Sequence, residues 1–217
     1  MDISIFVILL LLVGGFLAYY FFNRKMVVKR KLKASPLVRI SDFQHGDVAT
    51  IKGTVKYLQE PLTAPLSGRP CAQYRVIIEQ MRMTRDKKGW EKIIDDERSV
   101  PFLIEQDGEF AMVDENYPKS YLVEDRKFRS RILKDAPDKF EDYLKSHGQS
   151  STNGLGANRN IRYREGILEA GEQVSVVGKG IWKKSTEVYL SVPAEQLLII
   201  EAPEDGHVYL SDDPNMV

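Results

Sequence analysis

The fold is decided by residues 48–57, whose sequence is VATIKGTVKY. This stretch is rich in β-branched residues, which favour extended strands. A glycine inside a strand usually marks a bulge or a sharp bend, so we expect one at Gly53. The stretch therefore predicts a bent β-strand, and the sequence on its C-terminal side continues the pattern.

A second strand is predicted after a loop at residues 58–70, which contains three prolines and one glycine. Residues 71–85 begin with alternating apolar and polar side chains, the pattern of a strand with one buried face. Gln73, Arg75 and Glu79 fall on the exposed face. The residues on the buried face are Ala72, Tyr74, Val76 and Ile78.

Further short strands are separated by turn residues. The Asp107–Gly108 dipeptide is a strong hairpin signal between two of them. The remaining predicted strands cover residues 90–94, 100–104, 109–113, 161–168, 173–183, 187–192 and 197–200.

One helix interrupts the strands at residues 135–148, where Pro137 suits the first turn and Gly148 a C-terminal cap. Its apolar face consists of Phe140, Tyr143 and Leu144. Many short strands with glycine-marked bends favour a mainly β fold. We predict a small antiparallel barrel or sandwich of the oligonucleotide/oligosaccharide-binding (OB) type. The helix and a mobile polar loop are inserted at about residues 114–160, and the sequence shows no second hydrophobic core.

Twenty residues without a charge, Ile3–Phe22, lie near the N-terminus. A helix of this length is about 30 Å long, which matches the hydrocarbon core of a bilayer. A cleaved signal peptide is the rival interpretation. However, Asp2 stands where such peptides carry bases, and the apolar run ends in four aromatic residues instead of small ones. We therefore predict a retained transmembrane helix.

Residues 23–33 carry six bases and no acid. This basic collar consists of Arg24, Lys25, Lys29, Arg30, Lys31 and Lys33. Positively charged flanks stay in the cytoplasm, so we expect the N-terminus outside and the rest of the chain inside. The collar can also be a site for anionic lipids at the membrane surface, but a topology signal is the simpler interpretation.

The whole chain has 31 bases and 31 acids in 217 residues, but the two signs are unevenly distributed. Residues 201–217 hold five acids and no Lys or Arg. We divide the chain into an anchor and collar at residues 1–33, a β domain at residues 34–201 and an acidic tail at residues 202–217. A solvated tail is the default, although it could attract the collar. The neutral domain argues against nucleic acid as a partner.

The search for catalytic motifs is negative. The sequence lacks a nucleophile elbow, a P-loop and an HExxH motif, and its three histidines are scattered, so we predict no catalytic residue, metal or cofactor. Cys71 is the one candidate nucleophile because Arg69 lies nearby, but a buried structural role is favoured. The carboxylate pairs Asp95–Asp96 and Asp212–Asp213 are expected on the solvated surface.

Two stretches of the β domain resemble a known family. Residues 65–74 read PLSGRPCAQY, in which the Ser67–Pro70 turn leads into a strand, and residues 162–178 read RYREGILEAGEQVSVVG. Together with the nearby apolar helix, these stretches resemble the GIDE domain, also called the beside-a-membrane domain. The resemblance covers most of residues 36–201.

The resemblance implies a place beside a membrane but not an enzyme. Some members of the family are mitochondrial membrane ubiquitin ligases, whose activity lies in a C-terminal RING zinc domain. This chain has no second apolar run of membrane length, and one Cys cannot supply the ligands of a RING. It therefore resembles the RING-less, prokaryotic-type members. The matching positions, which are either a binding surface or residues that the fold needs, are Pro65, Ser67, Gly68, Pro70, Cys71, Tyr74, Arg164, Glu165, Gly171 and Gly178.

We expect a single-pass membrane protein that works as an interaction or scaffold module. Its partners would be the lipid bilayer and other membrane-associated proteins. One alternative is a ubiquitin-ligase-related protein that acts through a partner zinc domain. The other is an OB-type ligand binder, which would use exposed aromatic residues such as Tyr74, Trp90 or Trp182. The oligomeric state is left open.

Overall fold

The computed structural model describes residues 3–83, 88–114, 118–129, 138–152, 158–184, 195–204 and 206–216. Its helices are α1 (Ile3–Phe22), α2 (Arg24–Ala34) and α3 (Asp138–Ser146), with a 3-10 turn at Ile40–Asp42. Its strands are β1 (Val48–Tyr57), β2 (Leu62–Thr63), β3 (Pro70–Cys71), β4 (Gln73–Met83), β5 (Lys88–Ser99), β6 (Phe102–Gln106), β7 (Glu109–Val113), β8 (Lys119–Tyr121), β9 (Arg126–Arg129), β10 (Ile161–Leu168), β11 (Gln173–Lys184), β12 (Gln196–Glu201) and β13 (Tyr209–Ser211). Thirteen strands against three helices lie within these ranges, which confirms the prediction of a mainly β fold.

Five strands close into a barrel in the order β1, β6, β7, β12 and β11, and β11 pairs back with β1. Neighbouring strands are antiparallel, except that β12 and β7 run parallel. The predicted hairpin at Asp107–Gly108 joins β6 to β7, and both residues have the positive φ of a two-residue hairpin turn. The prediction of a β-barrel is therefore confirmed.

Gly53 lies where β1 begins to pair with β6 while it still pairs with β11. A Cβ at this position would collide with the backbone oxygen of Glu105 and lie 2.7 Å from Ile104 Cγ2. The register between β1 and β11 runs through Gly53 without a shift, so the expected bulge is absent. The glycine instead lets two barrel strands approach closely around the apolar core.

Two excursions from the barrel build a second sheet in the order β5, β4, β10 and β9. β4 and β5 lie between β1 and β6 in sequence, whereas β9 and β10 lie between β7 and β11. β4 and β10 pair from Gln73 opposite Leu168 to Gln80 opposite Ile161. The second sheet therefore joins segments that are far apart in the chain.

A second apolar cluster lies between this sheet and α3. Phe140 and Leu144 are buried in it, as predicted for the apolar face of the helix. Gln73 is also buried, although the alternation places it on the exposed face. The predicted inward residues of the β4 segment are all buried, namely Ala72, Tyr74, Val76 and Ile78. The prediction that there is no second hydrophobic core is therefore wrong, because the strands of the two sheets alternate along the chain and their apolar residues cannot be assigned to separate cores from the sequence.

The C-terminal segment is part of the fold. β13 pairs with β11 and with β8 and so extends the barrel sheet. Val208, Leu210 and Met216 are fully buried. This differs from the solvated acidic tail that we expected, because the apolar residues between the acids supply a strand that the charge count hides.

The predicted boundaries are accurate for some elements. β7 and β10 have the predicted bounds, β5 is longer than predicted, and α3 ends at Ser146 instead of Gly148. The predicted strand at residues 187–192 lies outside the described residues, as does Pro137. β8 and β9 have no counterpart among the predicted strands, because both are short and polar.

The N-terminal helices meet at an angle. Within the described part of the chain, no single helix is both long and apolar enough to pass as a membrane span. A bent pair, Val7–Phe22 with Arg24–Ala34, does pass by length and composition, and its two halves make an angle of 65°. The transmembrane helix is thus not confirmed and stays a prediction.

Candidate functional site

α1 is exposed wherever its apolar side chains are described, apart from the half-buried Tyr20. The exposed fraction of these side chains runs from 47% at Leu17 to 86% at Phe22. The exposed residues are Val7, Ile8, Leu9, Leu10, Leu11, Leu12, Val13, Leu17, Tyr19, Phe21 and Phe22. Water-soluble monomers rarely leave so large a contiguous apolar surface uncovered.

The corner between α1 and α2 is held by polar contacts. Asn23 caps α2, because its Oδ1 accepts a hydrogen bond from Met26 N at 3.4 Å. Arg30 donates a hydrogen bond to Tyr20 O at 3.3 Å. Its guanidinium carbon also lies 5.3 Å and 5.2 Å from the ring centres of Tyr20 and Phe21. The two helices are therefore joined in a defined geometry.

One face of α2 is packed against the barrel. Val28 and Leu32 are buried on this face, and burial of two aliphatic side chains contributes about 3 kcal/mol or more. Thr50 Oγ1 on β1 donates a hydrogen bond to Leu32 O at 2.9 Å. The other buried members of the cluster are Val177, Tyr209 and Met216. α2 is thus an integral element of the domain and not a free linker.

Two bases of the collar form ion pairs that attach the same face of α2 to the domain. Arg24 Nη2 lies 2.7 Å from both carboxylate oxygens of Glu97 on β5, and Arg24 Nε donates to Ser120 O on β8. Lys25 Nζ lies 2.9 Å from Asp213 Oδ2, and this hydrogen bond raises the pKa of Lys25. These contacts connect α2 to the second sheet and to the C-terminal segment.

The six bases of the collar are therefore not equivalent in the folded domain. Arg24 and Lys25 are bound to carboxylates of the domain, and Arg30 is engaged with the end of α1. The remaining bases, for which the described residues supply no ion-pair partner, are Lys29, Lys31 and Lys33. The sequence contained one signal for these contacts. It was the surplus of acids near the C-terminus, which includes the partner of Lys25.

The two motif stretches meet at the second sheet. The loop that begins at Pro65 lies against β10, where Leu66 N donates a hydrogen bond to Glu165 Oε1 at 2.9 Å. Glu165 is fully buried, and its Oε2 has no hydrogen-bond partner among the described residues. The buried carboxylate on β10 therefore fixes the loop to the strand through this hydrogen bond.

The motif glycines are needed by the backbone and by packing. Gly68 has a φ of 72° and Gly171 a φ of 93°, in the left-handed region that glycine tolerates best. A Cβ on Gly178 would lie 2.6 Å from Ile200 Cγ2 inside the barrel. These three positions therefore have structural roles.

The polar motif residues are also used within the domain. Arg164 Nη1 lies 2.8 Å from Glu124 Oε1. Ser67 Oγ accepts a backbone hydrogen bond of its own turn at 3.5 Å, and Pro70 O accepts one from the hydroxyl of Tyr57 at 2.7 Å. The motif residues thus favour the structural interpretation over a binding surface.

Cys71 is a free, fully buried thiol. Burial, and then the charges of Glu165 and Glu169, raise the pKa of this thiol to about 12. Arg69 does not offset these effects, and its guanidinium is paired with Glu169 at 2.9 Å. A thiol with such a pKa is protonated at neutral pH and is a poor nucleophile, which supports the structural role.

A hydrogen-bonded cluster around Asp96 holds α3 on the second sheet. Asp96 Oδ2 accepts hydrogen bonds from the hydroxyls of Tyr143 at 2.8 Å and Tyr74 at 3.2 Å. His147 Nε2 lies 3.7 Å from the same oxygen. Burial raises the pKa of both tyrosines, so their hydroxyls stay protonated as donors. The expectation of a solvated Asp96 is wrong, because only 15% of its side chain is exposed.

The acidic pair Asp212–Asp213 is not on the solvated surface either. Asp213 is 7% exposed. Asp212 Oδ1 accepts a hydrogen bond from Val123 N at 2.8 Å. Burial raises the pKa of Asp212 to about 7, with smaller contributions from the charges of Glu172 and Asp125. Both carboxylates therefore belong to the packing of the C-terminal segment.

The aromatic residues expected in an OB-type groove contribute to internal contacts. Tyr74 is buried, and Trp182 Nε1 donates a hydrogen bond to Phe43 O at 2.8 Å. The guanidinium of Arg162 lies 4.3 Å from the ring centre of Trp90. Within the ranges that the structure describes, no group of three or more His, Cys, Asp and Glu residues could hold a metal ion.

Comparison of the sequence with protein-family models, with curated proteins and with solved structures finds no match. The resemblance to the GIDE domain therefore rests on the two motif stretches and the neighbouring apolar helix. That the two stretches contact each other through Leu66 and Glu165 is a finding of the structure that their sequences did not predict.

Proposed function

We propose that this chain is a single-pass membrane protein that presents a β-barrel domain beside the bilayer as an interaction or scaffold module. The observation that carries the proposal is the exposed apolar surface of α1. A bilayer would cover this surface, and the twenty residues of α1 give about 30 Å of helix, enough to cross the hydrocarbon core. Tethering would raise the effective concentration of the domain for other membrane components.

The direction of insertion is proposed from the collar. Topology is set by the Lys and Arg residues that flank an apolar helix. All six bases can act in this way, because Arg24 and Lys25 find Glu97 and Asp213 only after the domain has folded. The N-terminus would then lie outside and the domain on the cytoplasmic face.

The domain is proposed to be a RING-less, prokaryotic-type relative of the GIDE domain on an OB-type barrel. Two observations support this: the motif stretches contact each other, and the closed barrel carries its helix between the third and fourth barrel strands in sequence, β7 and β11. Cys71 and Asp96, which could have done chemistry, are committed to packing. Tethered recognition is therefore proposed in place of catalysis.

Charges in the middle of α1 test the anchor. Each Arg at the centre of a membrane span costs about 2.5 to 3.5 kcal/mol. We expect the double variant Leu10→Arg, Leu12→Arg to leave the membrane fraction on alkaline extraction, whereas wild type stays. The matched variant Leu10→Ala, Leu12→Ala shortens the same side chains without charge and should stay as well. Extraction of the wild-type chain, or retention of the Arg variant, would contradict the proposal.

Protease protection tests the orientation. Protease added to intact cells should leave the domain whole, because we place it in the cytoplasm, and the same protease should cleave it after lysis. An unrelated cytoplasmic protein and a known external protein serve as controls. Cleavage of the domain in intact cells would reverse the proposed topology.

Partner capture tests the scaffold role. The full chain is compared in native membranes with a variant that lacks residues 36–201 but keeps the anchor and the collar. Proteins enriched only with the full chain would be partners of the domain. If the two chains enrich the same proteins, the domain recruits nothing and the scaffold role is wrong.

A further inference from the structure

α2 has a second face that points away from the buried Val28 and Leu32, and its side chains are half-buried or exposed. At 3.6 residues per turn, the docked residues Arg24, Val28 and Leu32 share one side of the helix. The residues on the opposite side are Met26, Lys29, Arg30 and Lys33. Three of these four side chains are positively charged, so this second face is basic.

The position of Arg30 shows which way this face is turned. Its guanidinium rests against Tyr20 and Phe21 in the last turn of α1. The basic face is therefore on the side of α1 and away from the domain, which packs on Val28 and Leu32. Because the two helices make an angle of 65°, α2 would lie about 25° from the membrane plane if α1 followed the bilayer normal.

We propose that α2 lies on the bilayer surface with Lys29, Arg30 and Lys33 among anionic lipid headgroups, and that this contact gives the domain one fixed orientation. This inference rests on the proposed membrane anchor. The bilayer is the occupant that fits, because the face is basic and continues directly from the apolar helix. In the described ranges, Lys29 and Lys33 have no carboxylate partner that would compete.

The expected strength follows from the charges. Each base near an anionic surface strengthens the contact about fivefold. The attraction falls off within a Debye length of about 8 Å at physiological salt, so it acts on headgroups and orients the domain without anchoring it.

The docked face of α2 transmits this orientation to the barrel. Arg24 is paired with Glu97 and Lys25 with Asp213, and Val28 is buried one turn further along the helix. The domain therefore cannot rotate freely about the end of α1. One surface of the domain would always be turned to the cytoplasm.

A fluorophore on the basic face measures the contact. The full-length protein is reconstituted into nanodiscs of phosphatidylcholine alone or of equimolar phosphatidylcholine and phosphatidylglycerol, each with a trace of lipid that carries a quencher on its headgroup. The label is attached after the substitution Met26→Cys, which removes no base. Cys71 is buried and stays unlabelled. A second label, introduced through Glu60→Cys, reports an exposed position of the domain.

We expect stronger quenching at position 26 in the phosphatidylglycerol nanodiscs, and a return to the phosphatidylcholine value at high salt. The variant Lys29→Glu, Lys33→Glu should weaken the contact roughly 25-fold or more, because two attractive charges become repulsive. The matched variant Lys183→Glu, Lys184→Glu changes the charge equally on exposed residues of β11 and should behave as wild type. Thermal unfolding confirms that each variant is folded.

The outcomes separate this inference from the proposed anchor. Equal quenching at position 26 in both lipids, in protein that elutes with the nanodiscs, overturns the inference and leaves the anchor intact. Equal quenching at positions 26 and 60 shows a domain without a fixed orientation and also overturns it. Protein that never enters the nanodiscs overturns the anchor, and the inference with it.

Discussion

The barrel and the second sheet both have an apolar cluster, but the second sheet also encloses polar groups. The cluster inside the barrel consists of apolar side chains, and Gly53 and Gly178 let its strands approach closely. The second sheet encloses Glu165 and Gln73 completely and holds α3 through the carboxylate of Asp96. The barrel core therefore depends on shape, whereas the second sheet adds hydrogen bonds to buried polar groups to an apolar cluster of its own.

This difference determines what each part tolerates. A close-packed apolar interior does not tolerate added volume, because the strands around it cannot move apart. A buried polar group resists the loss of its partner, because the group left behind can no longer reach water. Exposed ion pairs on either sheet, such as Lys56 with Glu105, contribute little.

The largest effect is expected from Gly53→Val in the barrel. Valine favours strands, so local propensity alone predicts a gain in stability. The new Cβ would instead meet the backbone of Glu105 and the side chain of Ile104, and we expect the free energy of unfolding to fall by about 3 kcal/mol or more. Urea denaturation measures the change.

Gly89→Val is the matched control for this substitution. Gly89 lies in β5 of the second sheet, and nothing stands within 4 Å of a Cβ built there. Its free energy of unfolding should change by no more than about 0.5 kcal/mol. If the two valines have equal effects, close packing does not distinguish the barrel from the second sheet.

The next effect is expected at Glu165 in the second sheet. Glu165→Leu removes the acceptor of Leu66 N and leaves a half-buried N–H group unpaired, so we expect a loss of about 2 kcal/mol. Glu165→Gln keeps an oxygen acceptor at the same place and should stay close to wild type. A leucine variant as stable as wild type would show that apolar packing can replace the buried carboxylate.

The third prediction concerns Asp212 in the C-terminal segment, whose strand β13 is added to the barrel sheet. Its pKa is about 7 in the fold and 3.8 in the unfolded chain, so between these values the folded state binds more protons. The free energy of unfolding therefore falls as the pH rises through this window. The neighbouring Asp125 and Glu172 add to the effect when they are charged.

Asp212→Asn should remove this pH dependence, because an amide oxygen can still accept the hydrogen bond from Val123 N. Partial exposure reduces the effect, so we expect the variant to match wild type at about pH 4 and to be about 1 to 2 kcal/mol more stable at about pH 8. Chemical denaturation at both pH values measures it. Parallel curves for the two proteins would refute the raised pKa.

The smallest effect is expected from Tyr143→Phe, which removes one of the two hydroxyl donors to Asp96. We expect a loss of about 1 kcal/mol, the net value of a single hydrogen bond. Tyr74→Phe breaks the longer bond of 3.2 Å and should have a smaller effect. The double variant should lose more than the sum, because it leaves Asp96 without either hydroxyl. Additive losses would mean that the two tyrosines act independently.

The parts of the fold that the sequence predicted are those with local signals. The alternation through Ala72 and Ile78 predicted the buried face of β4, and the Asp107–Gly108 dipeptide predicted a hairpin. The second sheet has no such signal, because β4 pairs with β10 across a long stretch of chain that includes two barrel strands. Buried polar groups such as Glu165 look like surface residues in a sequence, since only the fold supplies their partners.

The candidate site shows the same limit. The run of bases in the collar was visible, but Arg24 and Lys25 could not be told from Lys29 and Lys33. Arg24 and Lys25 differ from the other two bases because they pair with Glu97 and Asp213, which lie far away in the chain. The number of bases predicts that the collar is a basic surface. Which of these bases face the domain can be seen only once α2 is packed against it.

The docking of α2 has a consequence for biosynthesis. Three of its contacts are made by Tyr209, Asp213 and Met216, which are synthesised long after α2 itself. A nascent chain therefore carries Val28 and Leu32 uncovered until residues 209–216 have emerged, while the barrel and the second sheet assemble. A product that stalls before this point would display an apolar stripe on the otherwise basic helix α2. Chaperones and proteases of the quality-control system could then recognise the unfinished protein by a segment close to its N-terminus.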